Sequence, residues 1–126
     1  MRFGYWHFAF LGQESAWAAE ASECAADQDA FWEYHDLIFE RHAGENQGAF
    51  SKENLKQMAV ELGLDNATFD ECLDSGKYTQ QVQMDAQTAR QLGVSSTPAF
   101  VINGVAVMGA QPFTVFEQTI DAELGN

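Results

Sequence analysis

An α/β domain in which helices outweigh strands is predicted by three observations. The run Arg2 to Phe10 is dense in aromatics with few polar groups on either face, helical periods follow one another from Glu14 to Leu92, and Thr97-Pro98 opens an apolar run that Asn103-Gly104 closes. An apolar run without alternation reads as a strand covered on both faces, as in a parallel or mixed sheet flanked by helices. Asn-Gly is a strong hairpin signal, because a type I′ turn needs positive φ at both central residues. The 126 residues, 46% of them hydrophobic, suffice for one core and not for two ordinary domains.

Taken in order, the first strand covers residues 2–10 and ends at Leu11-Gly12; His7 inside it reads as a packed core residue rather than a metal ligand. From Glu14, alanines at 16, 18, 19, 21, 25 and 26 mark a helix, since alanine has the best helix propensity. Ala18, Ala21 and Ala25, with Cys24 beside them, make a stripe of small residues that lets a neighbour approach closely, and Gln28-Asp29 breaks the helix. Phe31, Tyr34, His35 and Ile38 resume the period, widened by Trp32 and Leu37, and fit a core better than a cofactor box. His35 and His42 stand seven apart on that helix, without a cysteine or carboxylate set at metal-ligand spacing, so no metal or cofactor is expected. Residues 43–50 carry two glycines and no period, and read as a loop.

Ser51 is a suitable N-cap for a helix with Leu55, Met58, Ala59 and Leu62 on one face, stopped by Gly63. Asp65 caps a short helix whose apolar face is Phe69, Cys72 and Leu73, with Gly76 as its stop. Tyr78, Val82, Ala86, Ala89 and Leu92 continue as a longer helix to Gly93. Pro98 falls at the first position of a strand, where its missing N–H is tolerated, and Val105 to Met108 is the return strand. Pro112 suits the first turn of a closing helix whose core face is Phe113, Phe116, Ile120 and Leu124.

Nineteen acidic residues against six basic ones give a net charge of -13, which disfavours nucleic acid and anionic membrane surfaces as partners. No stretch approaches the roughly 18 apolar residues that span a bilayer. No basic region precedes an apolar one at the start, as would also hold for a mature or trimmed chain. Cys24 and Cys72 are the only cysteines, so there is no Cys-x-x-Cys; the residues alone leave open a structural disulfide between them or two buried free thiols. A bridge would imply an oxidising, extracytoplasmic compartment, and free thiols a cytoplasmic one.

The order and spacing of several short pieces carry a resemblance. They are His7-Phe8, Ala18-Ala19-Glu20-Ala21 with Glu23-Cys24-Ala25, Phe31-Trp32-Glu33-Tyr34-His35-Asp36, Leu62-Gly63-Leu64-Asp65 and Cys72-Leu73-Asp74-Ser75-Gly76. Leu92-Gly93-Val94, Thr97-Pro98, Ile102-Asn103-Gly104 and Gly109-Ala110-Gln111-Pro112 complete the set. Together they resemble the DsbA-like branch of the thioredoxin superfamily, the thiol-disulfide oxidoreductases with a helical insert in a thioredoxin-like fold. The family pattern often has arginine at Trp6, proline at Ala9 and glycine at Asp29; aspartate tolerates a left-handed backbone, so the break at Asp29 can survive. By itself Thr97-Pro98 fits an ordinary trans turn; the resemblance implies a cis bond there, with Thr97 and Pro98 receiving the backbone of an extended or unfolded protein substrate.

The resemblance implies a truncated version of the fold. Family members begin with another strand and a Cys-x-x-Cys helix before the strand matching Arg2 to Phe10. The chain is therefore expected to be the C-terminal portion of a DsbA-like domain: strand 2–10, helical insert 14–92, cis-proline hairpin 97–108 and closing helix 112–124. The absent strand would lie between the first strand and Ala99 to Ile102, and unpaired edges invite another strand, so a fragment of a longer parent chain or a homo-oligomer is expected. Neither Cys24 nor Cys72 sits at a helix N-terminus where a thiolate is favoured, so no catalytic residue is assigned and the chain alone is expected to be inactive. The alternatives are a non-catalytic module that accepts a peptide or partner strand by β-augmentation, or a glutathione-using or isomerase relative of the same fold, which would lack a visible nucleophile.

With acids spread along the whole chain and few lysines, the surface also fits adaptation to high salt. Melting temperature is expected to rise between low and molar salt as self-repulsion is screened, and a salt-independent melt would remove that reading.

Overall fold

The computed structural model describes residues 1–125. Its elements are α1 (Gln13–Ala26), α2 (Phe31–Glu40), α3 (Lys52–Glu61), α4 (Asn66–Asp74), α5 (Thr79–Gln91), β1 (Ala99–Ile102), β2 (Val105–Met108) and α6 (Phe113–Glu123). The chain divides into two compact units, residues 1–87 and 88–126.

The first unit is built on α1. Ala21 and Ala25 are completely buried and Ala18 and Cys24 nearly so, which makes the small-residue stripe the surface on which α2, α3 and α4 pack. The larger volumes come from those neighbours: Tyr34 of α2, Leu55, Met58 and Ala59 of α3, and Phe69, Cys72 and Leu73 of α4. Tyr34 is fully buried against Phe69, with ring centroids 5.5 Å apart, and its hydroxyl donates to the Leu55 carbonyl at 2.8 Å. That bond satisfies a polar group which would otherwise be costly to bury.

Local chemistry fixes the helix ends. The Ser51 side chain accepts from the Asn54 N–H, and the Asp65 side chain accepts from the Thr68 N–H, which holds the Asp65 carboxyl below its usual range. Asp29 adopts φ 58° in the turn between α1 and α2, the left-handed conformation that lets the chain reverse there. The Glu14 carboxylate accepts from the N–H groups of Gly48 and Phe50 and so ties the 43–50 loop to the first turn of α1.

Residues 1–10 correct the expected first strand: they have no regular secondary structure. A strand is made by its ladder partner, and the one ladder among the described residues pairs Ala99–Ile102 with Val105–Met108 and does not include residues 1–10. Side chains hold the segment instead: Phe3 lies 5.4 Å from Trp32, Tyr5 lies 5.5 Å from Phe31, and buried His7 pairs with Glu23. Coverage on both faces fails as well, since Phe3 is 65% and Trp6 59% exposed. His42 lies beyond the end of α2 rather than on it.

In the second unit, β1 and β2 form an antiparallel pair with Ala99 opposite Met108 and Ile102 opposite Val105. Asn103 and Gly104 close it with φ 50° and 88°, the pair of positive values expected for a type I′ turn. Phe116 of α6 stands edge-on to Phe100 of β1 at 4.8 Å. Pro112 is the residue before α6 rather than in its first turn, and Phe113 and Leu124, expected on the core face, are exposed. No helix among the described residues is long and apolar enough to cross a membrane.

Cys24 and Cys72 are joined in a disulfide with a sequence separation of 48. Closing a loop of that length restricts the unfolded chain by ~4 kcal/mol in the chain-entropy model. Cys24→Ala/Cys72→Ala is expected to lose ~2–4 kcal/mol of unfolding free energy in urea titration while keeping its helical circular dichroism.

Candidate functional site

Chemistry-bearing residues come together in one place in each unit. In the second unit, the Thr97-Pro98 bond is cis and both residues are exposed, directly before β1. The Pro98 carbonyl accepts from the Gly109 N–H at 2.8 Å, just outside the Ala99–Met108 pair, so the hairpin ladder holds the loop at its base. Proline brings no backbone donor of its own here, which is why it stands at the strand's entrance and not within it.

In the first unit, the disulfide is almost sealed: Cys24 is 1% and Cys72 7% exposed. Both sulfurs are bonded, so there is no free cysteine among the described residues. Three side chains gather beside Cys72. Asp27, at the C-cap of α1, has a carboxylate oxygen 4.0 Å from the Cys72 Sγ; the same oxygen accepts from Lys77 Nζ at 2.7 Å, and the other accepts from the Tyr78 hydroxyl. Partial burial pushes the Asp27 carboxyl up, but the Lys77 and Tyr78 hydrogen bonds together outweigh it and hold the group below its usual range. The same contacts raise Lys77 and Tyr78, in each case first through the hydrogen bond to Asp27.

The arrangement clamps the end of α1 to the segment between α4 and α5, and Lys77 also places a cation at the negative end of the α1 dipole. Neither sulfur is a thiolate while the bridge is closed, and the Lys77 charge is paired to a carboxylate. Sequence reading missed the cluster because Asp27 and Lys77 are fifty residues apart and neither marks the other.

His7 is buried in this unit, as are Glu20 and Ser22. The His7 Nε2 lies 2.7 Å from Glu23 Oε1, its backbone N–H donates to Asp85 at 3.3 Å, and its ring stands edge-on to Tyr5 and Phe31. No three His, Cys, Asp or Glu side chains among the described residues stand together as metal ligands.

The family model described as thioredoxin (Thioredoxin_4) matches residues 1–122. The chain belongs to the thioredoxin family. It is 26% identical to disulfide bond formation protein D of Bacillus subtilis over 98% of its own length and 57% of that protein's. It is 39% identical to the Na(+)/H(+) antiporter NhaA of Herminiimonas arsenicoxydans over 74% of its length, but spans only 14% of that protein. Among solved structures it superposes on a thioredoxin-like oxidoreductase from Silicibacter pomeroyi with a TM-score of 0.78 at 22% identity, covering 97% of this chain and 68% of that one. The thiol-disulfide exchange protein alpha-DsbA2 from Wolbachia pipientis gives 0.74 at 25% identity, with 90% and 60% covered. The fold is thioredoxin-like, mostly helical with a small two-stranded sheet, and the chain is a DsbA-like member of the thioredoxin superfamily that spans little more than half of its disulfide bond formation protein D relative.

A carboxylate held below its usual range adds stability that is present above about pH 4 and is lost as pH falls through its lowered value. Asp27→Asn is therefore expected to lower the melting temperature at pH 7 and to narrow its gap to the parent protein below about pH 4. Parallel melting curves across that range would show that the clamp contributes nothing.

Proposed function

We propose that this chain is the helical-insert and cis-proline portion of a DsbA-like protein disulfide oxidoreductase, that it docks the extended backbone of a protein substrate at Thr97 and Pro98, and that it does not exchange disulfides alone. One observation carries the reading: the only two cysteines are joined to each other and buried, so there is neither a thiolate to attack a substrate disulfide nor an accessible bridge for a substrate thiolate to attack. The exposure of Thr97 and Pro98 at the entrance of β1 supports the docking role, and the bridge fits an oxidising compartment. A role as a β-augmentation module is supported by a different observation: residues 1–10 lie outside the β1–β2 pair, the one ladder among the described residues.

Insulin reduction by the isolated chain is expected to run no faster than with free cysteine at equal thiol concentration, and a faster rate overturns the proposal. A strand-length peptide is expected to raise the melting temperature with dose and to shift the amide resonances of Thr97 and Ala99. Shifts confined to residues 1–10 favour the augmentation module instead.

A further inference from the structure

Within the first unit, residues 5–11, α1, α2 and the 43–50 loop line an open cleft of about 200 Å³. The volume exists because α1 presents Ala18 and Ala19 there, while Tyr5, Phe31, Phe39 and Phe50 bring rings to its walls. Its charged lining is one-sided. Glu14 and Glu45 contribute carboxylates and no lysine or arginine lines the cleft, in a chain of net charge -13. The Glu14 carboxylate is fixed in place by the Gly48 and Phe50 N–H groups, and Glu45 is exposed on that same 43–50 loop. The three histidines of the chain complete the lining.

Aromatic faces attract organic cations, and desolvated faces do so most strongly. An apolar cavity of about 150 Å³ takes up benzene. From volume, ring content and charge together we propose that this cleft binds a small organic cation with an apolar, ring-sized body, of the benzylic ammonium class. The proposal is independent of the substrate-docking role given to Thr97 and Pro98, because every lining residue lies between positions 5 and 50.

The test is a titration of the full chain at pH 8, above the ordinary imidazole range, with three probes of one shape: benzyltrimethylammonium, benzyl alcohol and phenylacetate. Amide resonances report the binding position. The cation is expected to bind at least about tenfold more tightly than phenylacetate, with benzyl alcohol between them, and to shift the amides of Ala18, Ala19 and Phe50. Ala19→Phe, at a half-buried lining position beside the stripe and outside the core cluster, fills the cleft and is expected to abolish those shifts while melting cooperatively. Glu45→Gln, on the exposed loop, is expected to reduce the preference for the cation over phenylacetate by about twofold or more while benzyl alcohol binds as before. Equal binding of the three probes, no saturable shifts at millimolar cation, or shifts mapping away from the cleft each overturn the proposal. If Ala19→Phe does not fold, an unchanged cation preference in Glu45→Gln overturns it alone.

Discussion

The helical unit depends on how close other elements can come to α1. Ala18, Ala21 and Ala25 leave its buried face nearly flat, and the bulk that fills the space is delivered from outside by Tyr34, Leu55, Phe69 and Leu73. Cys24 sits in that same face and converts the approach of α4 into a covalent link through Cys72. A larger side chain anywhere on the stripe would push α4 away from the bridge that joins it to α1, so close packing and cross-link stand or fall together.

Around this centre, polar groups act as fasteners rather than as reagents. Asp27 holds Lys77 and Tyr78 at one end of α1, Glu14 holds the 43–50 loop at the other, and Glu23 holds His7 on the flank. All three carboxylates project from α1 or its C-cap, so one helix organises the unit through both its apolar and its polar faces. In the other unit an exposed proline stands at a strand entrance, while the sulfurs of both cysteines are confined to the helical core.

What could be read in the sequence was what short-range chemistry decides. Asp29 and Asn103 take left-handed conformations because their neighbourhoods require a reversal, and Ser51 and Asp65 accept from the N–H three residues on, an interaction legible within four residues of text. The alanine stripe and the Leu55, Met58, Ala59 face were legible through helical period alone. Residues 2–10 were misread because an apolar aromatic run reports burial propensity but not the presence of a pairing partner, and Phe3 and Trp6 are exposed. The Asp27 cluster and the His7–Glu23 pair join residues many positions apart, and nothing local distinguishes them from solvated charges. The cleft was invisible for a related reason: its lining is gathered from four segments, none of which shows more than an ordinary core pattern.

The sulfur arithmetic has a practical corollary. Because both native cysteines are consumed by one another inside the helical core, a cysteine introduced at a chosen surface position would be the sole reactive sulfhydryl of the folded molecule. A spin label or fluorophore could then be attached to the hairpin or to the outer face of α2 by simple alkylation, with no wild-type sulfur to remove first.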